Sequence, residues 1–166
     1  MSRVLIACVG NVLRGDDGFG VFVAEELAGR SLPTGVELIE TGIGGMSIVQ
    51  ELMDGYDALI VVDAVDRGAP PGTVFVLEPD VPEPDGLSTD QWREQFSNLH
   101  LAEPSRILLL ARAAGVLPPN VILVGCQPEH IEEYEPTLTA SVQRAVSVAA
   151  NRAVELATNM LASPVG

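Results

Sequence analysis

The amino-acid sequence predicts an α/β fold, a three-layer α/β/α sandwich in which helices cover both faces of a sheet. Apolar runs of strand length alternate along the chain with segments of helical periodicity, which is typical of this class. The run Ala58–Ala64 is apolar up to Asp63, as expected for a central strand buried on both faces. In such folds ligands bind beyond the carboxyl ends of the strands, so we expect the functional residues there.

Five runs have the length and composition of strands: Arg3–Val9, Val36–Glu40, Ala58–Ala64, Val74–Leu77 and Asn120–Cys126. Only nine residues separate Ala64 from Val74, and they include Pro70-Pro71-Gly72. A parallel crossover needs about a dozen residues or more. We therefore expect the strand Val74–Leu77 to run antiparallel to its neighbour.

Helical periodicity occupies much of the remaining chain. The helical segments run from about Gly18 to Ala28, from about Met46 to Met53, from Pro104 to Gly115 and across Val142–Met160. Between residues 78 and 98 the chain is rich in proline and acidic residues and carries its only tryptophan, Trp92. We predict a mobile surface excursion there, and variable loops beside a rigid site often select partners.

Composition excludes several classes of protein. The 166 residues are most simply one domain spanning 1–166, and the formal net charge of −14 disfavours nucleic acid and anionic membrane surfaces as partners. No apolar stretch approaches the ~18–20 residues of a membrane helix or has the layout of a signal peptide. The expected location is cytoplasmic. Two cysteines, Cys8 and Cys126, end apolar runs and are predicted to be buried free thiols.

The first loop, between the first strand and the first helix, is the best candidate for chemistry. It is rich in glycine, which permits sharp turns, but it presents the carboxylates Asp16 and Asp17 rather than a lysine. The chain contains no lysine, so a Walker-type loop is excluded, and the glycine spacing misses the dinucleotide fingerprint. A nucleotide-binding regulatory domain is therefore disfavoured, and a cationic ligand fits better.

Three side chains are candidates for a metal site at the carboxyl edge: Asp17 after the first strand, Asp63 at the end of the third, and His100 before the Pro104 helix. Two carboxylates and one imidazole suit a divalent ion such as Zn²⁺, Ni²⁺ or Mn²⁺ and leave positions open for water or substrate. A metal-bound water could then attack a carbonyl group.

Each candidate also has an ordinary structural explanation. Asp17 could cap a helix or sit in a turn, although Asp16 is the expected cap of the pair. Asp63 could accept a loop N–H at its strand end, and His100 could be half-buried and bonded to the backbone. Asp17 and Asp63 could also share a proton as an aspartic-peptidase dyad. Serine and dithiol chemistry are disfavoured because the chain has neither a G-x-S-x-G elbow nor a C-x-x-C pair.

The first loop reads Gly10-Asn11-Val12-Leu13-Arg14-Gly15-Asp16-Asp17-Gly18-Phe19-Gly20. Later stretches read Gly42-Ile43-Gly44-Gly45-Met46, Val61-Val62-Asp63-Ala64-Val65 and Val124-Gly125-Cys126-Gln127-Pro128. Together they resemble the signature segments of the hydrogenase maturation proteases over almost the entire chain. The resemblance implies a mixed five-stranded sheet with one antiparallel strand, in agreement with the short Ala64–Val74 connection.

The resemblance also implies a function. Members of this family remove a short C-terminal extension from the large subunit of a nickel–iron hydrogenase after nickel has been inserted, so the nickel belongs to the substrate. By position, Asp17, Asp63 and His100 become the nickel ligands and the catalytic residues, with the immature large subunit as partner and no organic cofactor. A non-catalytic metal chaperone or adaptor is the alternative. The implied strand order places Cys8 and Cys126 about two strand spacings, roughly 10 Å, apart, which excludes a disulfide.

Overall fold

Strands and helices alternate along the chain in the computed structural model, which describes residues 1–42, 45–97, 104–132 and 134–163. The strands are β1 (Val4–Val9), β2 (Val36–Thr41), β3 (Ala58–Ala64), β4 (Val74–Leu77) and β5 (Asn120–Cys126). The α-helices are α1 (Phe19–Ala28), α2 (Met46–Leu52), α3 (Thr89–Ser97), α4 (Pro104–Ala113) and α5 (Ala140–Ala162). Short 3-10 turns occupy Gly15–Gly18 and Pro84–Gly86.

The sheet has the strand order β2-β1-β3-β5-β4. The first four strands in that order are parallel, and β4 pairs antiparallel with β5, with Val74 opposite Cys126. The turn between β3 and β4 is closed at the same end, where Gly72 N–H donates to the Gln127 carbonyl at 2.9 Å. The predicted mixed sheet with one antiparallel strand is thereby confirmed.

Helices cover both faces of the sheet, because residues alternate sides along each strand. In β1 the row Val4, Ile6 and Cys8 packs against α1 and α5, whereas Leu5, Ala7 and Val9 belong to the cluster under α2 and α4. All six side chains are buried. Two apolar cores on opposite faces of one sheet make the predicted three-layer sandwich.

Gly20 sets how closely α1 approaches the sheet. A Cβ at this position would lie 2.0 Å from the Val9 carbonyl oxygen and 2.8 Å from that of Val62, and both are backbone atoms that cannot swing aside. Only glycine therefore lets the helix rest on β1 and β3. This contact holds the first loop against the carboxyl edge of the sheet.

The segment after β4, predicted as a mobile surface excursion, contains a 3-10 turn and helix α3 that the sequence analysis did not predict, and its residue 98 lies outside the described residues. A capping box starts α3: Gln91 N–H donates to Ser88 Oγ at 3.2 Å, and Ser88 N–H donates to Gln91 Oε1 at 2.8 Å. The pattern Ser88-Thr89-Asp90-Gln91 was the signal in the sequence that could have predicted this helix. Arg112 on α4 also restrains the segment by donating to the Val81 carbonyl and pairing with Glu83 at 3.4 Å.

The two cysteines lie on strands that are not neighbours. Cys8 on β1 is opposite Val62 of β3, and Cys126 on β5 is opposite Ala64 of the same strand. Both thiols are buried and free, as predicted, because β3 separates them. Among the helices that the structure describes, none is both long and apolar enough to cross a membrane.

Candidate functional site

A cleft of about 380 Å³ opens at the carboxyl edge of the sheet, on the face covered by α2 and α4. Its walls come from the loops after all five strands, from β5 itself and from the first half of α4. The lining residues are Val9, Gly10, Asn11, Arg14, Asp17, Gly42, Asp63, Ala64, Val65, Asp66, Pro79, Asp80, Val81, Pro104, Ser105, Leu108, Leu123 and Ile131. Its position agrees with the prediction that function lies at this edge.

Asp17 is held in the cleft by the backbone of the first loop. Gly15 starts the 3-10 turn with a φ of +57°, a left-handed conformation that glycine adopts without strain. Asp17 N–H donates to the Arg14 carbonyl at 3.2 Å, and its own carbonyl accepts from Asn11 N–H at 3.0 Å. Its half-buried carboxylate lines the cleft and caps neither the 3-10 turn nor α1. The helix-cap explanation for Asp17 is therefore wrong.

Asp63 reaches the same cleft from the central strand. It follows Leu59 and Val61 at intervals of two residues, so it shares their face of β3 and points toward the side covered by α2 and α4. Only 5% of the residue is exposed, and it lines the cleft together with Asp17. The structure thus brings together two of the three predicted site residues.

The charged side chains of the cleft are mostly acidic. Burial raises the pKa of Asp17, and the positive charge of Arg14 partly offsets that rise. Arg14 is the only cationic side chain among the described lining residues, and no hydrogen bond or ion pair from those residues reaches its buried Nε. Asp66 and Asp80 add further carboxylates. This arrangement favours a cation or a positively charged peptide over an anionic ligand.

Gln127 organises the loop that follows Asp63, and sequence reasoning did not predict this role. Its buried side chain accepts at Oε1 from the N–H groups of Arg67 (2.7 Å) and Ala69 (3.2 Å) and donates from Nε2 to Asp66 at 2.8 Å. The hydrogen bond from Gln127 lowers the pKa of Asp66. One side chain after β5 therefore fixes the cleft wall after β3.

Asp16 has a different role from the predicted helix cap. Its fully buried carboxylate accepts hydrogen bonds from the backbone N–H groups of Glu129, His130 and Thr139 and from the Thr139 hydroxyl, at 2.7 to 3.1 Å. No cap hydrogen bond joins it to the helix that follows. Asp16 thus ties the first loop to the loop between β5 and α5, over more than 110 residues of sequence.

The third predicted ligand, His100, lies outside the described residues. Within the part of the chain that the structure describes, no group of three or more histidine, cysteine, aspartate or glutamate side chains is arranged to hold a metal ion. The three-ligand set therefore stays a prediction. His130, the other histidine, is exposed, and its backbone supports Asp16.

Comparison with known proteins gives a consistent result. A family model described as hydrogenase maturation protease matches residues 21–156. The chain is 34% identical over 149 residues to the hydrogenase expression/formation protein HoxM of Cupriavidus necator, which covers 89% of this chain and 70% of that protein.

Solved structures agree. The hydrogenase maturating endopeptidase HybD from E. coli superposes with a TM-score of 0.73 at 30% identity, covering 95% of this chain and 93% of that one. A hydrogenase 2 maturation peptidase from a Thaumarchaeota archaeon gives 0.66 at 34% identity, with coverages of 93% and 97%. On the family match and these similarities, the chain belongs to the hydrogenase maturation protease family.

Proposed function

We propose that this chain is an endopeptidase that removes the C-terminal extension of a nickel-loaded hydrogenase large-subunit precursor. Membership of a protease family supports the peptidase chemistry. The observation that carries the proposal is the placement of Asp17, in the 3-10 turn after β1, and Asp63, at the end of β3, in one cleft at the carboxyl edge of the sheet. In this proposal both carboxylates contact the nickel that the precursor brings.

The donor set suits an ion that is delivered rather than stored. Two carboxylates, with His100 as the proposed third ligand, leave coordination positions open, and imidazole and carboxylate are both acceptable to Ni²⁺. Such a set is expected to bind free nickel weakly and to bind it productively when the precursor supplies further ligands. Cleavage before nickel insertion is then disfavoured by binding energy alone.

Hydrolysis needs a polarised peptide carbonyl and a water that loses a proton. In the proposed complex the precursor's nickel polarises the carbonyl, and a cleft carboxylate accepts the proton from the attacking water and returns it to the leaving amide nitrogen. Among the described residues, no heavy atom lies within 4 Å of where a Cβ of Gly42 would stand on the cleft wall, so in this proposal an extended tail approaches the backbone there.

The test uses nickel-loaded precursor and intact-mass measurement of its C-terminus. The Asp17→Asn, Asp63→Asn and His100→Ala variants are each expected to lose cleavage by about two orders of magnitude or more. Asp80→Asn is the matched control, because Asp80 is an exposed carboxylate on the rim of the same cleft. Wild-type rates in the first three variants would contradict the proposal.

A second comparison isolates the role of nickel. Nickel-free precursor is expected to be processed much more slowly than nickel-loaded precursor, and equal rates would show that the metal is not the recognition element. Binding of the loaded precursor without any cleavage would support a chaperone or adaptor instead.

A further inference from the structure

Four exposed apolar side chains lie beside the cleft on two paired loops. We call Val12, Leu13, Ile131 and Tyr134 the loop patch. Leu13 is 55% exposed and Tyr134 is 84% exposed, whereas most large apolar side chains of the described chain are buried. Isolated apolar residues on a surface are ordinary, but a group beside a functional cleft marks a candidate interaction site.

The patch is continuous with the cleft. Ile131 itself lines the cleft, and so does Arg14, the residue after Leu13. Glu135 N–H donates to the Leu13 carbonyl at 3.0 Å, and the Glu135 carbonyl accepts from Gly15 N–H at 2.6 Å, so residues 13–15 and 134–135 run side by side. The loop patch therefore borders the cleft and lies within reach of a protein whose tail occupies it.

Tyr134 is presented outward by an unfavourable backbone. Its φ is +64°, and it is the only non-glycine residue with a positive φ among those that the structure describes. A left-handed conformation in a bulky residue costs free energy and is retained chiefly where the surroundings or a function require it. Exposed tyrosines are also frequent centres of binding energy at protein interfaces.

The charge around the patch restricts what can cover it. Glu129, Glu132 and Glu135 are exposed on the same loop, and the whole chain carries a net charge of −14. A second copy would bring the same carboxylates face to face, and an anionic lipid surface would be repelled as well. An apolar surface flanked by arginine or lysine side chains complements both the apolar centre and the acidic rim.

We propose that the loop patch docks the folded body of the protein substrate whose tail enters the cleft, by binding an apolar segment flanked by basic side chains. This inference rests on the proposed function, since it assumes a protein substrate. It adds a second contact outside the cleft, so that affinity for the substrate depends on residues that touch neither the nickel nor the scissile bond. Buried Asp16 supports this arrangement by holding the two patch loops together.

The experiment compares the full chain with a Leu13→Ser/Tyr134→Asn double variant. Serine keeps the backbone groups of position 13, and asparagine tolerates a left-handed backbone better than tyrosine, so the fold is expected to persist. Met53→Ser is the matched control, because Met53 is 64% exposed at the far end of α2, away from the cleft. Cleavage kinetics are measured with nickel-loaded large-subunit precursor, and the dissociation constant is measured in an Asp63→Asn background that prevents cleavage.

The double variant is expected to raise KM and Kd by about tenfold or more while changing kcat by less than about twofold. Higher salt should weaken binding of the wild-type patch, because the rim is charged. If the wild-type chain cleaved the precursor and the double variant did so with an unchanged KM, the docking inference would be overturned and the proposed function would stand. If the wild-type chain bound the precursor through the patch but did not cleave it, the docking inference would stand and the proposed function would be overturned. A change confined to oligomeric state, or no binding of the precursor to any variant, would overturn the inference.

Discussion

The buried carboxylate of Asp16 accepts two hydrogen bonds from Thr139, one from its backbone N–H at 2.7 Å and one from its hydroxyl at 2.9 Å. Thr139 stands directly before α5 and does not use its side chain to cap that helix. The two residues are 123 positions apart, so this contact closes the fold between its first loop and its last helix. Asp17, the next residue, is left to face the cleft.

Neighbouring aspartates should therefore respond differently to the same substitution. Asp16→Asn places an amide N–H₂ among donors and should lower the free energy of unfolding by about 3 kcal/mol, because buried N–H groups lose their acceptor. Asp17→Asn should change the same free energy by less than about 0.5 kcal/mol at neutral pH. Urea denaturation of both variants measures this, and a larger loss for Asp17→Asn would contradict the assigned roles.

The pH dependence of stability should have opposite signs for these two residues. Burial alone would raise the pKa of Asp16, but hydrogen bonds from the backbone N–H groups of His130, Thr139 and Glu129 outweigh it and lower the pKa. Its stabilising contribution is therefore present above the unfolded-state value of about 3.9 and is lost as pH falls through the lower folded-state pKa.

For Asp17, burial raises the pKa. Its contribution to stability is thus present below the unfolded-state pKa and lost as pH rises through the folded-state value. We expect the destabilisation caused by Asp16→Asn to shrink below about pH 4, and any gain from Asp17→Asn to disappear there. The free energy of unfolding is measured by denaturation from about pH 3 to about pH 7, a range that spans the titration of aspartate. Parallel dependence of this free energy on pH in the wild type and both variants would contradict the prediction.

Arg14 should tune the carboxylate beside it. Its positive charge lowers the pKa of Asp17 against the effect of burial, so Arg14→Met should raise that pKa further. An NMR titration of the Asp17 side-chain carboxyl carbon measures the change. Arg93→Met, which removes an exposed arginine of α3, is the control and should leave the titration of Asp17 unaltered. An unchanged midpoint in Arg14→Met would show that the two groups are screened from each other.

Gly20→Ala should severely destabilise the fold. The added methyl group would meet the Val9 and Val62 carbonyls at 2.0 and 2.8 Å, so α1 must move off the sheet at a cost of about 3 kcal/mol or more. Gly29→Ala is the matched control, since its φ of −80° suits alanine and its nearest contact would be 3.5 Å. Thermal unfolding distinguishes them, and similar melting temperatures would contradict the close packing inferred for α1.

The two thiols should be unreactive in the folded protein. Burial raises the pKa of Cys126 to about 12, and burial together with nearby carboxylates raises that of Cys8 as well. The nucleophilic thiolate is therefore scarce at neutral pH. Iodoacetamide should add nothing to the native chain and two carbamidomethyl groups after denaturation, measured by intact mass on the two cysteines present. Alkylation of the native protein would show that one thiol is accessible.

Much of the architecture could be predicted from local patterns. Apolar runs and helical spacing identified the five strands of the sheet and the helices of both outer layers. The short connection between Ala64 and Val74 indicated the antiparallel strand, because chain length alone forbids a crossover there. Helix α3 was missed because its capping box, Ser88 to Gln91, stands within a proline-rich acidic stretch.

The candidate site likewise has some features that local patterns predicted and others that they did not. Apolar runs were enough to place Asp63 at the end of β3 and Asp17 in the loop after β1, because the ends of such runs mark the ends of strands. Three other features depend on the folded arrangement: Asp16 is a buried anchor, Gln127 fixes the loop after Asp63, and Leu13 and Tyr134 lie on paired loops. These contacts join loops whose residues are 58 to 123 positions apart in the sequence, so no local pattern encodes them. Their hydrogen bonds form only once the sheet has brought the distant loops to one edge.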